Sequence, residues 1–268
     1  EHAVVYGVPA LAVGIDRGAR ARATAAALGA PSRLKVADWG IDVAEGDATE
    51  GGRADLGRAF HALLEATRRG NPGGVAAGVV VEASTDLPPG GGLGCSAALG
   101  VAVARALDPY AKTDAIVDRA MAWERVFHGN PSGIDAAVAA SGGSVLFEKG
   151  RGLEPVRLRG SVLLCIGSTG LGSSTKTMVE AVAKRRAKSP VIVDKTFEAI
   201  RALVRNARLA LEAGDRATLG RLMDLNQMLL GGLFLSTPEI ESLCSLARSA
   251  GAYGAKLTGA GGGGSVVA

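Results

Sequence analysis

Aromatic side chains are scarce: two Trp, three Tyr and five Phe make up 4% of the 268 residues. A surface for stacking nucleic-acid bases is therefore not expected. Cysteine is rarer still, and Cys95, Cys165 and Cys244 stand far apart, with neither a CxxC pair nor a Cys/His ligand spacing. That argues against a disulfide framework and a structural zinc site, and it fits a reduced, cytoplasmic setting. Long apolar runs are missing too. The longest, residues 97–104, falls far short of the roughly 20 residues that a bilayer-spanning helix needs. Nor is there much excess charge, since 30 Lys and Arg face 26 Asp and Glu for a net +4. The one dense basic run, Lys184-Arg185-Arg186-Ala187-Lys188, reads as a solvated helix end. Neither nucleic acid nor membrane is an expected partner.

What is abundant is glycine, 39 residues in a chain that is 47% hydrophobic. At that level it marks loops whose backbone must approach something closely. A chain of this length forms one large or two modest domains, each burying its core without staples. Residues 4–15 and 34–43, β-branched and punctuated by glycine, are expected as strands. Leu56, Phe60, Leu63 and Leu64 recur at helical spacing and predict an amphipathic helix over 53–69, stopped by Gly70-Asn71-Pro72-Gly73. A buried strand is expected at 75–82, a helix apolar nearly all round at 96–107, and a helix at 111–127 with Ile116, Ala120, Trp123 and Phe127 on one face. Further strands are predicted at 144–148, 154–158 and 162–166. Beyond Arg159 long helices take over, at 173–187, 194–213, 216–230 and 238–250, with Thr237 as N-cap and Pro238 at N1. A short strand is expected at 254–257, followed by the last glycines and residues 265–268. The grouping of strands and helices is α+β, with domains expected at 1–159 and 160–268.

Two glycine-rich stretches, Pro88-Pro89-Gly90-Gly91-Gly92-Leu93-Gly94-Cys95-Ser96-Ala97-Ala98 and Lys256-Leu257-Thr258-Gly259-Ala260-Gly261-Gly262-Gly263-Gly264, bracket Gly129-Asn130-Pro131-Ser132-Gly133-Ile134-Asp135. The first runs straight into an alanine-rich helix, so backbone N–H groups and the positive helix end converge where a phosphate can sit. It is not a Walker A loop, because no Lys-Ser/Thr pair follows the glycines. Gly92-Leu93-Gly94-Cys95-Ser96-Ala97 also fits the looser G-x-G-x-x-A dinucleotide fingerprint, but Asp86-Leu87-Pro88-Pro89 intervenes between strand and glycines. A Rossmann oxidoreductase is accordingly the third reading. Plainer readings stand beside each feature. The second stretch fits a tight strand connection in which glycines supply positive φ. Ser132 to Asp135 fits an S-x-x-D helix cap, Glu124 an ordinary surface glutamate, and His61 and His128 structural histidines. Cys95, at a helix start, is expected to have a lowered pKa and to alkylate fastest of the three cysteines.

Taken together, Glu1-His2-Ala3-Val4-Val5-Tyr6-Gly7-Val8-Pro9-Ala10, the 88–98 loop, the string from Trp123 through His128 to Asp135, and the terminal glycines resemble, nearly end to end, the motifs of GHMP-superfamily small-molecule kinases. Within that superfamily they resemble the mevalonate kinase family. The resemblance implies a two-domain GHMP kinase fold, an N-terminal domain with a left-handed β-α-β unit and a ferredoxin-like C-terminal domain. It implies ATP held by Pro89, Gly90, Gly91, Gly92, Leu93, Gly94, Cys95, Ser96 and Ala97. Mg2+ would be held by Ser96 and Glu124, with Asp135 the base beside the hydroxyl to be phosphorylated. Glu1, His2, Asp135, Thr175 and Ala260 would bind mevalonate.

The reaction implied is ATP-dependent phosphorylation of mevalonate to 5-phosphomevalonate, in isoprenoid-precursor synthesis, and the resemblance leaves room for a homodimer. Alternatives are a sister kinase acting on phosphomevalonate, homoserine or a sugar, and a non-catalytic nucleotide-binding sensor of the same fold. A phosphorylated substrate would call for extra Arg or Lys near the motifs, and none is clustered there. Two departures from the family pattern stand out. Relatives carry a lysine shortly before the Glu-His pair, so the sequence is expected to be a segment lacking both flanks. Cys95 replaces a serine common in relatives, which leaves Ser96 as the favoured magnesium hydroxyl.

Overall fold

The computed structural model describes residues 1–45, 52–71, 78–129, 131–172 and 174–268. In chain order its elements are β1 (Ala10–Val13), β2 (Ala19–Ala25), β3 (Arg33–Val36), β4 (Ile41–Ala44), α1 (Gly52–Gly70) and β5 (Val79–Thr85). Then come α2 (Cys95–Leu107), α3 (Thr113–His128), α4 (Ile134–Ser141), β6 (Ser144–Glu148), β7 (Gly152–Pro155) and β8 (Ile166–Ser168). Last are α5 (Thr175–Lys188), α6 (Pro190–Ala213), α7 (Arg216–Gly232), α8 (Pro238–Ser249), β9 (Lys256–Thr258) and β10 (Ser265–Val267).

Contacts divide the chain into two compact units, one of Ile15–Pro88 with Gly94–Gly142, the other of Glu1–Gly14, Pro89–Leu93 and Gly143–Ala268. Residues 1–14 and 143–159 thus pack with the helical C-terminal half, while composition changes near residue 159. Composition records where strands give way to long helices. It does not record which segments fold against each other.

The unit containing Ile15 is built on a four-stranded sheet in the order β2-β5-β3-β4. β3 and β4 form an antiparallel pair, and β5 then pairs parallel with β3 and antiparallel with β2. A parallel neighbour requires a crossover, and α1 lies in that connection. Leu34 and Val36 of β3, Val81 of β5, Phe60, Leu63 and Leu64 of α1, Leu99 and Val103 of α2, and Ile116 and Trp123 of α3 share one core. The helical spacing of the leucines in α1 is thus the spacing of its buried stripe. Gly100 allows α2 to close on α3, since a Cβ there would stand 2.9 Å from Trp123 Cδ1. Truncating the fully buried Trp123 to Ala should cost about 3–5 kcal/mol.

The unit containing Glu1 carries two antiparallel sheets, β1-β6-β7 and β8-β10-β9, with α5 to α8. Val8, Leu230, Leu235, Ile240 and Leu257 are the centre of its core. Thr237 caps α8 as expected, its Oγ1 accepting from Ile240 N at 3.4 Å with Pro238 at N1.

Several predicted strands change shape. The strand expected over 4–15 begins instead as a 3-10 turn, His2–Tyr6, ended by Gly7 at φ 79°; only Ala10–Val13 is extended. The expected strand 34–43 is split into β3 and β4 at Gly40, φ 59°. Expected strands at 154–158 and 162–166 appear as β7 and β8, displaced by glycine turns. Residues 75–77 of the expected strand 75–82 lie outside the described residues, and the strand itself is β5. β2 was not expected at all, because its inward positions are alanines rather than β-branched residues.

Candidate active site

In the unit containing Ile15, the predicted chemistry gathers at the start of α2. Gly94 is its N-cap in the left-handed region, φ 68°, and brings no side chain to the N–H groups of the first turn. Cys95 and Ala97 are buried behind that turn, and Ser96 faces α3. Ser96 Oγ donates to Glu124 Oε1 at 2.5 Å and accepts from Trp123 Nε1 at 3.2 Å. Glu124 is 5% exposed, so the surface-glutamate reading is overturned. Burial pushes its carboxyl up to about 7, against the pull of the Ser96 hydrogen bond and with the charge of Asp135 adding to the rise. His128 Nε2 stands 3.6 Å from Glu124 Oε2, and burial holds its imidazole below the usual histidine value.

Asp135 reaches the same place from α4. Its Oδ1 lies 3.9 Å from the point a Cβ on Gly94 would occupy, so the carboxylate sits against the N-cap of α2. The N-cap of α4 is Gly133, φ 85°, not Ser132, which puts Asp135 at the second helical position rather than the third. The S-x-x-D capping box therefore does not form in that register. Ser132 Oγ instead accepts from Ile134 N at 3.4 Å. Asn130 lies outside the described residues.

In the other unit, Pro89 and Gly90 are exposed, Gly91 is buried, and Gly92 and Leu93 are half-buried in a run of bends. Gly92 packs against the second glycine stretch: its Cβ would stand 2.5 Å from Thr258 O, and Thr258 Oγ1 donates to Gly92 O at 3.4 Å. Gly259 meets Gly92 Cα in turn. These glycines are thus required by close approach as well as by positive φ. His2, 4% exposed, donates from Nε2 to Ala260 O at 2.5 Å, and burial keeps its imidazole below the usual value. Burial would push the Glu1 carboxyl up, but Lys256 beside it holds it low. Thr175, exposed, opens α5 one turn before Met178, whose sulfur lies against Gly262.

The thiol of Cys95 corrects an expectation. Burial raises its pKa and the Glu124 charge adds to the rise, while a Thr85 contact opposes them. Sγ donates to Leu87 O at 3.4 Å, away from the helix N–H groups whose dipole was expected to ionise it. Sequence reasoning also missed Trp123 Nε1 as the donor that orients Ser96, and Lys256 as the partner of Glu1. The only signal for either was proximity to a motif.

Residues 56–143 match the GHMP kinases N terminal domain, and residues 207–268 match GHMP kinases C terminal. A mevalonate kinase of Thermococcus onnurineus is 34% identical over 292 residues, covering 100% of this chain and 84% of that protein. One from Pyrococcus horikoshii is 34% identical over 291 residues with the same coverage. The crystal structure of L. major mevalonate kinase in complex with R-mevalonate is similar at a TM-score of 0.83 and 29% identity, over 100% of this chain and 82% of that one. With relatives of that identity and coverage behind its motifs, the chain belongs to the GHMP kinases, in their mevalonate kinase group.

Proposed function

We propose that this chain transfers the γ-phosphoryl group of ATP to the primary alcohol of mevalonate, giving 5-phosphomevalonate and ADP. One observation carries the reading: a carboxylate, Asp135, set against the N-cap of a helix whose first-turn N–H groups have no side-chain cap. Phosphoryl transfer asks little covalent chemistry of a protein, and works mainly through positioning and charge. The N–H groups of Cys95, Ser96 and Ala97 would hold phosphate oxygens at the positive end of α2. Asp135 stands in the first turn of its own helix, where the helix dipole favours negative charge. It would orient the alcohol and accept its proton late in the transfer.

Pro89, Gly90, Gly91, Gly92, Leu93 and Gly94 belong to the proposed ATP loop. Glu1, His2, Thr175 and Ala260 are proposed as substrate-binding residues, supported by the match to the family's motifs. A neutral His2 whose Nε2 donates to Ala260 O keeps Nδ1 as an acceptor for a hydroxyl.

The donor set at Ser96 and Glu124 fits magnesium. It is all oxygen, and burial with the nearby Asp135 charge raises the pKa of Glu124, so a cation there would offset the cost of ionising it. When bound there, Mg2+ would neutralise charge on the triphosphate. Ser96 and Glu124 would hold it, with Trp123 fixing the hydroxyl. The division into 1–159 and 160–268 remains part of the proposal, supported by family matches that fall on either side of residue 159. Cytoplasmic residence and a homodimer belong to it as well; among the described residues no helix is long and apolar enough to cross a membrane.

ADP release measured across mevalonate, phosphomevalonate, homoserine and galactose tests the reading. Mevalonate should dominate by a wide margin, because a site built to pair a carboxylate and hydroxyls leaves those partners unpaired with the wrong ligand. Comparable rates on homoserine would count against it.

A further inference from the structure

Helix α7 lies along the open edge of β9. Gly220 of α7 and Gly254, just before β9, touch backbone to backbone, an approach that a Cβ on either would block. Two side chains further along α7 use that closeness. Asp224 Oδ1 accepts from Ala255 N at 3.0 Å, and Gln227 Oε1 accepts from Leu257 N at 2.8 Å. Among the described residues β9 pairs only with β10, so its other edge presents N–H groups with no strand to receive them. Residues three apart on a helix are about 5–6 Å apart, and alternate residues of a strand about 6.6 Å. Two acceptors on the helix therefore match two donors on the strand.

The donors have no recourse to water, since Ala255 and Leu257 are fully buried. The acceptors are themselves fixed. Gln227, 3% exposed, donates from Nε2 to Ser236 Oγ at 3.0 Å and to Glu241 Oε1 at 2.9 Å, which turns its carbonyl toward Leu257. Asp224 Oδ1 also accepts from Arg248 Nη1 at 2.9 Å. The strand so held carries Lys256, the partner of Glu1, and Thr258, the partner of Gly92. It runs directly into Ala260, the partner of His2.

We propose that Asp224 and Gln227 are positioning residues, side-chain acceptors that stand in for a missing strand on β9 and set the register of the 259–264 loop for the reaction. The proposal rests on the mevalonate kinase reading for its kinetic consequence, though not for its structural one. Gln227→Met keeps the volume and removes all three hydrogen bonds. Asp224→Ala removes the acceptor for Ala255, whereas Asp224→Asn keeps one.

In the full chain, amide exchange at Ala255 and Leu257, steady-state kinetics and thermal unfolding are measured together. Protection should fall about tenfold at Leu257 in Gln227→Met and at Ala255 in Asp224→Ala. kcat/KM for mevalonate should fall about tenfold to a hundredfold in both, as expected of a loop displaced by a fraction of an ångström, with most of the change in KM. Asp224→Asn should restore both readouts. Variants that unfold at lower temperature yet keep kcat/KM in the folded fraction would overturn the proposal, as would Asp224→Asn behaving like Asp224→Ala. A wild-type chain inert on mevalonate would overturn the substrate reading alone. The clamp is then decided by exchange, and unchanged protection at both amides would overturn it.

Discussion

Ser96 donates its hydroxyl proton to Glu124 at 2.5 Å, even though Glu124 is buried near a second acid, Asp135. Burial and the charge of Asp135 both raise the cost of ionising Glu124, and His128, 3.6 Å from its Oε2, has a lowered pKa. A divalent cation would offset that cost. Glu124→Gln keeps an acceptor for Ser96 but removes the charge, so the magnesium concentration for half-maximal rate should rise about tenfold or more. Part of the activity should return at high metal, and Mn2+ binding followed by electron paramagnetic resonance should weaken in parallel. An unchanged titration by both methods would leave Glu124 a buried structural acid.

Asp135→Asn separates chemistry from capping. Because Gly133 is the N-cap of α4, the substitution removes no N-cap, and Asn is tolerated in a first turn. Stability should change by less than about 1 kcal/mol. Turnover should fall by about a hundredfold to ten-thousandfold, since an amide cannot accept the alcohol's proton. ATP affinity, measured by calorimetry, should stay within a few-fold. Retained turnover with a large loss of stability would restore the capping role.

The motifs were legible because their residue types have few other uses. Gly92 and Gly259 announce a close approach, and the structure brings them together; Ser96, Glu124 and Asp135 also come together from three separate helices. What remained hidden depends on tertiary neighbours. β2 alternates Ala with Arg and Thr, a period of two whose inward positions are alanines, which have little preference for strands. Cys95 was misjudged because a helix dipole acts on a thiol only if the sulfur faces the N–H groups, and here it turns inward to Leu87. Gln227 has no sequence signature whatever; its role exists only where α7 meets β9.

A buried ion pair offers a pH test away from the site. Arg119, 4% exposed, donates from Nη2 to Asp108 Oδ2 at 2.8 Å, and Asn71 Nδ2 donates to the same oxygen at 3.2 Å. Burial would raise the Asp108 carboxyl, but Arg119 and Asn71 outweigh it and hold the pKa below 3.8. A depressed carboxyl pKa contributes stability that is present above the unfolded value and lost as pH falls through the folded one. Asp108→Ala should therefore cost about 3–5 kcal/mol at pH 7, because it strands a buried guanidinium. The gap from wild type should narrow as pH falls below 3.8. Urea unfolding of both proteins at pH 7 and at pH 3 decides it, and a gap that stays constant would detach the pair from acid stability.

The three cysteines separate by exposure and not by helix dipole. Cys165 is exposed, whereas Cys95 and Cys244 are buried. Burial raises the Cys95 pKa and pushes that of Cys244 to about 11, so neither presents much thiolate at neutral pH. Cys165 should consequently alkylate first, and Cys95 should react at an appreciable rate only after opening of the α2 N-terminus or unfolding. Mg-ATP should leave the labelling of Cys165 unchanged. If nucleotide binding damps the opening of α2, Cys95 should become slower still, an effect to be measured against its own slow rate. Peptide mapping after timed alkylation, native and in urea, with and without nucleotide, gives all of these rates. Native labelling of Cys95 as fast as Cys165 would mean that the thiol faces solvent at the helix start, and the inward hydrogen bond to Leu87 would have to be abandoned.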